Sequence, residues 1–122
     1  IDYGLVKQCG KNTLQSVKNH KLNRMFNNVG NADITSLVNF NLLKNYLRDK
    51  KLKINGIVTQ EFFLKKMGII NRAEIVAQKM NFKEKTDLYL RLQRLLNPKQ
   101  MGKLFKVISA FKLNKKFSLG FI

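Results

Sequence analysis

One cysteine and one histidine set the first limits. Cys9 alone cannot close an internal disulfide and fits a reducing compartment, and His20 alone rules out a metal site built on paired histidines. The two could in principle form a thiolate pair, but a loop cysteine eleven residues from a lone histidine meets no other requirement of a nucleophilic site. A surface thiol and a surface imidazole are expected instead. No apolar run approaches the roughly 18 residues that span a bilayer, and no signal-peptide pattern is present, so a soluble protein is expected. Also missing are a Gly-x-Gly-x-x-Gly turn, a P-loop and a nucleophile elbow, which leaves no visible means of holding a nucleotide-like cofactor within this sequence alone.

Acids are scarce, and their scarcity makes each position informative. Only Asp2, Asp33, Asp49, Glu61, Glu74, Glu84 and Asp87 oppose 24 basic residues, for a formal charge of +17. A surface of that charge suits a nucleic acid or an anionic membrane, because it would release counterions from phosphates. Against that stands the pattern. The cations are 19 Lys to 5 Arg, scattered except for the cluster from Arg48 to Lys53, and they accompany 14 Asn. Codon preference in an AT-rich genome accounts for such a surface better than an evolved polyanion footprint, which is usually a patch or stripe.

With 122 residues and 44% apolar content the chain has material for one domain with a modest core. Ile1 to Gly4, which begins without methionine, reads as the tail of a strand cut at its end, followed by a turn. Lys7 to Asn12 is turn-rich, Thr13 to Val17 alternates as a short strand does, and His20 to Asp33 is polar loop. Helical spacing begins at Phe40 behind an Asn39 N-cap, with Leu42, Leu43, Tyr46 and Leu47 on one side. Leu52 to Gln60 reads as a strand, and Phe62 to Leu64 as a short helix that Gly68 terminates. Asn71 and Glu74 have capping-box spacing for a helix through Met80. Leu88, Tyr89, Leu92, Leu95 and Leu96 form the clearest apolar stripe, stopped by Pro98. Leu104 to Phe111 carries only Lys106 and Ser109 as polar residues, as a strand covered on both faces does. Leu113 to Ile122 carries no strong signal. The order is strand fragment, hairpin-like insert, helix, strand, three helices, strand, which is the tail of an α/β domain.

Caps and helix surfaces account for most of the acids. Asp2 differs, because it lies at the carboxyl end of a strand, where open α/β sheets place ligand groups. Asp33 and Thr35 close a long polar loop just ahead of a helix, where they could also simply stabilise the helix start. Phe62 and Phe63 beside Lys65 and Lys66 match the aromatic-plus-basic pattern that stacks bases, although phenylalanines opening an amphipathic helix are more often core.

Several short blocks, in order along nearly the whole chain, resemble the C-terminal half of the MidA-type class I methyltransferases, the group that includes the mitochondrial complex I assembly methyltransferase. They are Ile1-Asp2-Tyr3-Gly4; Thr13-Leu14-Gln15 with His20; Ala32-Asp33-Ile34-Thr35 leading to Val38-Asn39-Phe40; Thr59-Gln60; Phe63-Leu64; Met67-Gly68-Ile69 with Arg72; and Asn97-Pro98-Lys99 with Met101-Gly102 and Phe105. The resemblance implies methyl transfer from S-adenosylmethionine to a protein side chain, an arginine in the mitochondrial relatives, on a respiratory-complex subunit. It implies a sheet of order 3-2-1-4-5-7-6, on which Ile1 to Tyr3 ends strand 5, Leu52 to Thr59 is strand 6, and Leu104 to Phe111 is the reversed strand 7 between them. The family's glycine-rich cofactor loop lies upstream of the Ile-Asp-Tyr-Gly block, so residues 1–122 would be a partial methyltransferase domain with an unpaired strand 5 that invites association.

Three positions depart from the family pattern: Asn39 replaces an Asp, Leu37 a polar residue, and Glu61 a common Gly. Loss of polarity at Leu37 weakens any substrate contact there. On this reading Asp2 and Asp33 hold a cationic substrate with Gln60 as a neutral partner, and Tyr3, Gly4, Thr35 and Thr59 are substrate-side residues. Adenosylmethionine would need a separately encoded N-terminal half, so the chain is not expected to be active alone. The compartment would be bacterial cytoplasm or mitochondrial matrix. The rivals are a non-enzymatic remnant that binds proteins and a basic nucleic-acid binder.

Overall fold

A computed structural model describes residues 1–7, 10, 12–112 and 118–122. Its main sheet is mixed. β1 (Asp2–Leu5) and β6 (Lys53–Thr59) both run antiparallel to β7 (Phe105–Phe111), which lies between them, and a two-residue β5 (Val38–Asn39) pairs parallel with β1, giving the order β5-β1-β7-β6. β1 and β6 therefore point the same way, but β1 begins at the level where β6 ends: Asp2 is the first residue of its strand, not at the carboxyl end expected for it, and lies on the same rung as Thr59.

The interior position expected for the late apolar strand is observed, with two differences. Leu104 ends a short helix, α5 (Met101–Leu104), and of β7 only Val107 is fully buried. The expected bare edge of β1 is partly covered, since Gly4 and Leu5 pair with Val38 and Asn39. β6 carries one more residue than β7 between the rungs Ile54–Ala110 and Ile57–Ile108, and Gly56 at φ +87° absorbs this bulge.

Five helices accompany the sheet: α1 (Phe40–Asp49), α2 (Gln60–Lys66), α3 (Ile69–Ala77), α4 (Phe82–Leu96) and α5. Asn39 caps α1, its side chain accepting from the N–H of Asn41 and Leu42. The buried residue of α1 is Phe40, at 1% exposure, while Leu42 stands 67% exposed and Tyr46 is also exposed. The expected stripe is thus rotated: Phe40, Leu43 and Leu47 face inward, and Leu42 and Tyr46 do not.

Gly68 does follow α2, at φ +77°, but α3 begins at once behind it, so Asn71 lies inside that helix and caps nothing. The capping box belongs ten residues later. Asn81 accepts from the Glu84 N–H, and the Glu84 side chain accepts from the Asn81 N–H, at 3.0 and 2.9 Å. α4 ends where Pro98 demands it, with Asn97 in extended backbone. Leu88, Leu92 and Leu95 turn toward Ile69, Ala73 and Val76 of α3 across an open cleft of about 200 Å³.

Of the segment expected to be a polar loop, His20 to Asp33, residues 24–32 are loop, while Lys21–Asn23 and Asp33 belong to strands. β2 (Gln15–Lys18), β3 (Lys21–Asn23) and β4 (Asp33–Thr35) make a small antiparallel sheet of order β3-β2-β4. Asn19 and His20 both take positive φ, 51° and 61°, which suits the two-residue turn of a right-twisted hairpin. The tail also has a role: Phe121 meets Phe63 edge-on, with ring centroids 5.4 Å apart.

Candidate functional site

Sheet register brings three chemically distinct residues onto one rung. Lys106 of β7 lies opposite Asp2 on one side and Thr59 on the other. Residues opposed in this way share a face of the sheet, and each strand step is about 4.8 Å. A carboxylate, an ammonium stem and a hydroxyl therefore line up across three strands, on the rung where β1 begins and β6 ends. One residue along, Tyr3 and Phe105 form the neighbouring rung on the opposite face, ring centroids 5.7 Å apart.

The rung's members have other obligations. Asp2 is exposed, and its Oδ1 accepts from the Tyr3 N–H at 2.8 Å. The Thr59 hydroxyl caps α2, accepting from the Phe62 N–H at 3.3 Å. Lys106 donates from Nζ to the carbonyls of Lys103 and Leu104, the C-terminal end of α5, where a cation is favoured by the helix dipole. Desolvation holds its ammonium below the ordinary lysine range. Sequence reasoning did not place Lys106 at the site. Its signal was the single charge in an otherwise apolar strand, but only register reveals the Asp2 and Thr59 neighbours.

Beyond Thr59 the edge opens into a cleft of about 430 Å³ lined by Glu61, Phe62, Lys65 and Lys66. Glu61 pairs with Lys65 at 2.7 Å, and the Lys66 ammonium lies 5.6 Å from the centre of the Phe62 ring. The two phenylalanines of this helix have different fates: Phe62 lines the cleft, whereas Phe63 packs against Phe121.

The remaining sequence candidates are dispersed. Gln60 is buried, and its Nε2 donates to the Leu95 carbonyl at 3.0 Å, tying α2 to α4. Gly4 is buried too, because a Cβ there would meet the Val38 carbonyl oxygen at 2.2 Å and the Phe40 ring at 2.8 Å. Its place in the sequence block is thus a packing requirement. Asp33 is exposed on β4, opposite Val17, with no hydrogen-bond or ion-pair partner among the described residues. Thr35, opposite Gln15, keeps its hydroxyl buried and without a partner among the described residues, three residues before the strand that pairs with β1. Leu37 is fixed through its N–H to the Thr13 hydroxyl at 3.2 Å. From Asp33 the chain runs through β4, Ser36 and Leu37 to β5, which pairs with Gly4 and Leu5 at the carboxyl end of β1, whereas Asp2 opens that strand. His20 is exposed in its hairpin turn, and Cys9 lies outside the described residues. No group of three or more metal-ligating side chains occurs among the described residues.

The arrangement suits adenosylmethionine poorly by itself. The four glycines at positive φ, Gly30, Gly56, Gly68 and Gly120, lie in a loop, a bulge, an interhelical turn and a terminal turn. None forms a strand-to-helix cradle for a nucleoside. What the rung does offer is a carboxylate and a hydroxyl on either side of Lys106.

Comparison with known proteins agrees with the fold. A sequence model of S-adenosyl-L-methionine-dependent methyltransferases matches residues 1–58. The mitochondrial protein arginine methyltransferase NDUFAF7 of Xenopus laevis is 33% identical over 109 residues, 88% of this chain and 24% of that protein. Its Danio rerio counterpart is 30% identical over 89% of this chain and 25% of that protein. The chain spans about a quarter of the length of these relatives. Among solved structures, an uncharacterized protein from Burkholderia thailandensis superposes with a TM-score of 0.84 at 24% identity, over 98% of this chain and 33% of that one. A second structure from that organism, with S-adenosyl-homocysteine bound, gives 0.78 at 24% identity, over 98% of this chain and 32% of that one.

Proposed function

Because the chain belongs to the MidA-type family of S-adenosyl-L-methionine-dependent methyltransferases, we propose that it supplies the substrate-facing part of a protein arginine methyltransferase. The observation carrying this reading is the sheet itself: antiparallel β7 between parallel β1 and β6, with Asp2, Lys106 and Thr59 on one rung where β1 begins and β6 ends. On the family's strand order these are strands 5, 7 and 6. The cofactor is held by a separate segment carrying the glycine-rich loop, and this chain without it is inactive.

The activity is transfer of a methyl group to a guanidinium nitrogen. This chain's residues orient that guanidinium: the Asp2 carboxylate accepts its N–H groups at the sheet edge, and Asp33, unpaired on β4, approaches from the insert. Fixing the substrate in line is the main contribution such residues make. The substrate is a protein, on a respiratory-complex subunit if the chain follows its mitochondrial relatives.

The test mixes this chain with a separately produced N-terminal half bearing the glycine-rich loop. Calorimetry should detect adenosylmethionine binding to the mixture and to neither part alone, and radiolabelled methyl transfer should follow. No complex and no binding would reject the reading and leave a protein-binding remnant. In the active mixture, Asp2→Asn and Asp33→Asn should each raise KM for the protein substrate about tenfold. Unchanged kinetics would remove those two residues from the site while leaving the assembly intact.

A further inference from the structure

The small β2–β4 sheet combines three features that nothing in the methyltransferase reading uses. First, from Tyr3 to Ala32 there is no acid at all, while Lys7, Lys11, Lys18, Lys21 and Arg24 are all cationic. Second, it displays large apolar side chains almost fully to solvent: Phe26 at 88%, Val29 at 79% and Leu22 at 78% exposure. Third, the loop carrying Phe26 and Val29 is held in shape. The Asn23 side chain donates from Nδ2 to the Asn27 carbonyl at 2.7 Å and to the buried Ser16 hydroxyl at 3.2 Å. Asn28 bonds back to the Asn23 amide oxygen at 3.3 Å, and Lys18 Nζ donates to the Asn28 side chain at 2.8 Å. Two backbone turns, Asn27 N–H to the Arg24 carbonyl and Asn31 N–H to the Asn28 carbonyl, complete the scaffold.

We propose that this insert is a peripheral docking surface for an anionic lipid bilayer. Isolated exposed apolar residues are ordinary, but several on a scaffolded loop within an acid-free basic segment mark an interaction site. The choice of a bilayer follows from shape and charge together. Phe26 and Val29 protrude from a turn, and a fluid headgroup layer accepts a protruding wedge without a matching pocket. The cations are scattered across the insert rather than focused, which complements a diffuse anionic surface. Lys21 and Arg24 have no ion-pair partner among the described residues, so they are free to face headgroups. No helix of the described residues is long and apolar enough to cross a membrane, so the attachment is at the surface only.

The experiment incubates the full chain with large unilamellar vesicles of phosphatidylcholine alone or of equal parts phosphatidylcholine and phosphatidylglycerol, and measures co-sedimentation. Binding to the anionic vesicles should be at least about tenfold stronger than to the neutral ones and should weaken as salt is raised. Phe26→Ser with Val29→Ser should lower it about tenfold. Lys21→Glu with Arg24→Glu, which leaves the apolar tip and the asparagine scaffold in place, should lower it similarly. Equal binding to both vesicles, or anionic binding that neither pair of changes affects, would overturn the proposal. So would tight binding of single-stranded RNA that is lost in the Phe26 and Val29 variant while vesicle binding is absent.

Discussion

Gly4 shows how a residue in a recognisable sequence block can be required for packing alone. With the Val38 carbonyl oxygen 2.2 Å from any added Cβ, the Gly4→Ala variant must push β5 off β1. Overpacking of this kind costs about 1–3 kcal/mol, and a backbone obstacle puts it at the upper end. Urea unfolding should show that loss, and also a smaller one for Gly56→Ala. There the space around the Cβ is open and only the positive φ opposes the change. Lys106 poses the complementary case of a charge kept where burial disfavours it. Its pKa lies below the ordinary 10.5, so between that lowered value and 10.5 the unfolded chain holds a proton that the folded chain lacks. Stability from this group therefore rises with pH across that window, and the folded state bears the full penalty below it. Thermal melts from about pH 8 to 10.5 should show wild type gaining on Lys106→Met, which lacks the titrating group. A constant difference would mean that Lys106 is fully hydrated.

The two Asn-x-x-Glu sequences separate a real cap from an apparent one. Asn81→Ala should cost about 1 kcal/mol by removing the reciprocal bonds with Glu84. Asn71→Ala should be neutral or slightly stabilising, since Asn71 lies within α3 and alanine is the better helix former. Equal effects at the two sites would mean that α3 starts later than Gly68. Sequence could not choose between them, because the left-handed Gly68 ends one helix and starts the next with no loop to mark the break. Elements whose signal is a long apolar period were legible. The Leu88, Leu92, Leu95 spacing with Pro98 gave α4, and the apolar run before Phe111 gave β7. The insert was legible only as a hairpin-like stretch; its turn and the shape of the loop after β3 were not, because their order comes from Asn23 and Asn28 side-chain bonds and from positive φ at Asn19 and His20. Those residues compose a loop equally well. The same holds for the site: the sequence suggested the carboxyl end of a strand for Asp2, which instead opens β1, and its opposition to Lys106 depends on register between residues over a hundred positions apart.

At the scale of the molecule the governing fact is surface. A folded monomer of 14.2 kDa exposes about 6,800 Å², whereas this chain exposes 9774 Å². The excess, roughly 3,000 Å², is in the range of an obligate interface. The core is correspondingly thin: among the described residues only Phe40, Ala73, Ala77 and Val107 are fully buried hydrophobics. Repulsion within a +17 chain adds to the strain on a small core, because seven acids, one of them paired in Glu61–Lys65, face 24 basic residues. Two consequences can be measured together. Alone, the chain should unfold with low cooperativity and gain several degrees in Tm as salt screens its charge. If the chain assembles with a cofactor-bearing half as proposed, adding that half should lower apolar dye binding and replace the shallow transition with a single cooperative one, by covering excess surface. If the chain alone already melts sharply with little dye bound, the excess surface is solvated without strain. Assembly would then have to rest on specific contacts at the β1 edge, not on the area left to cover.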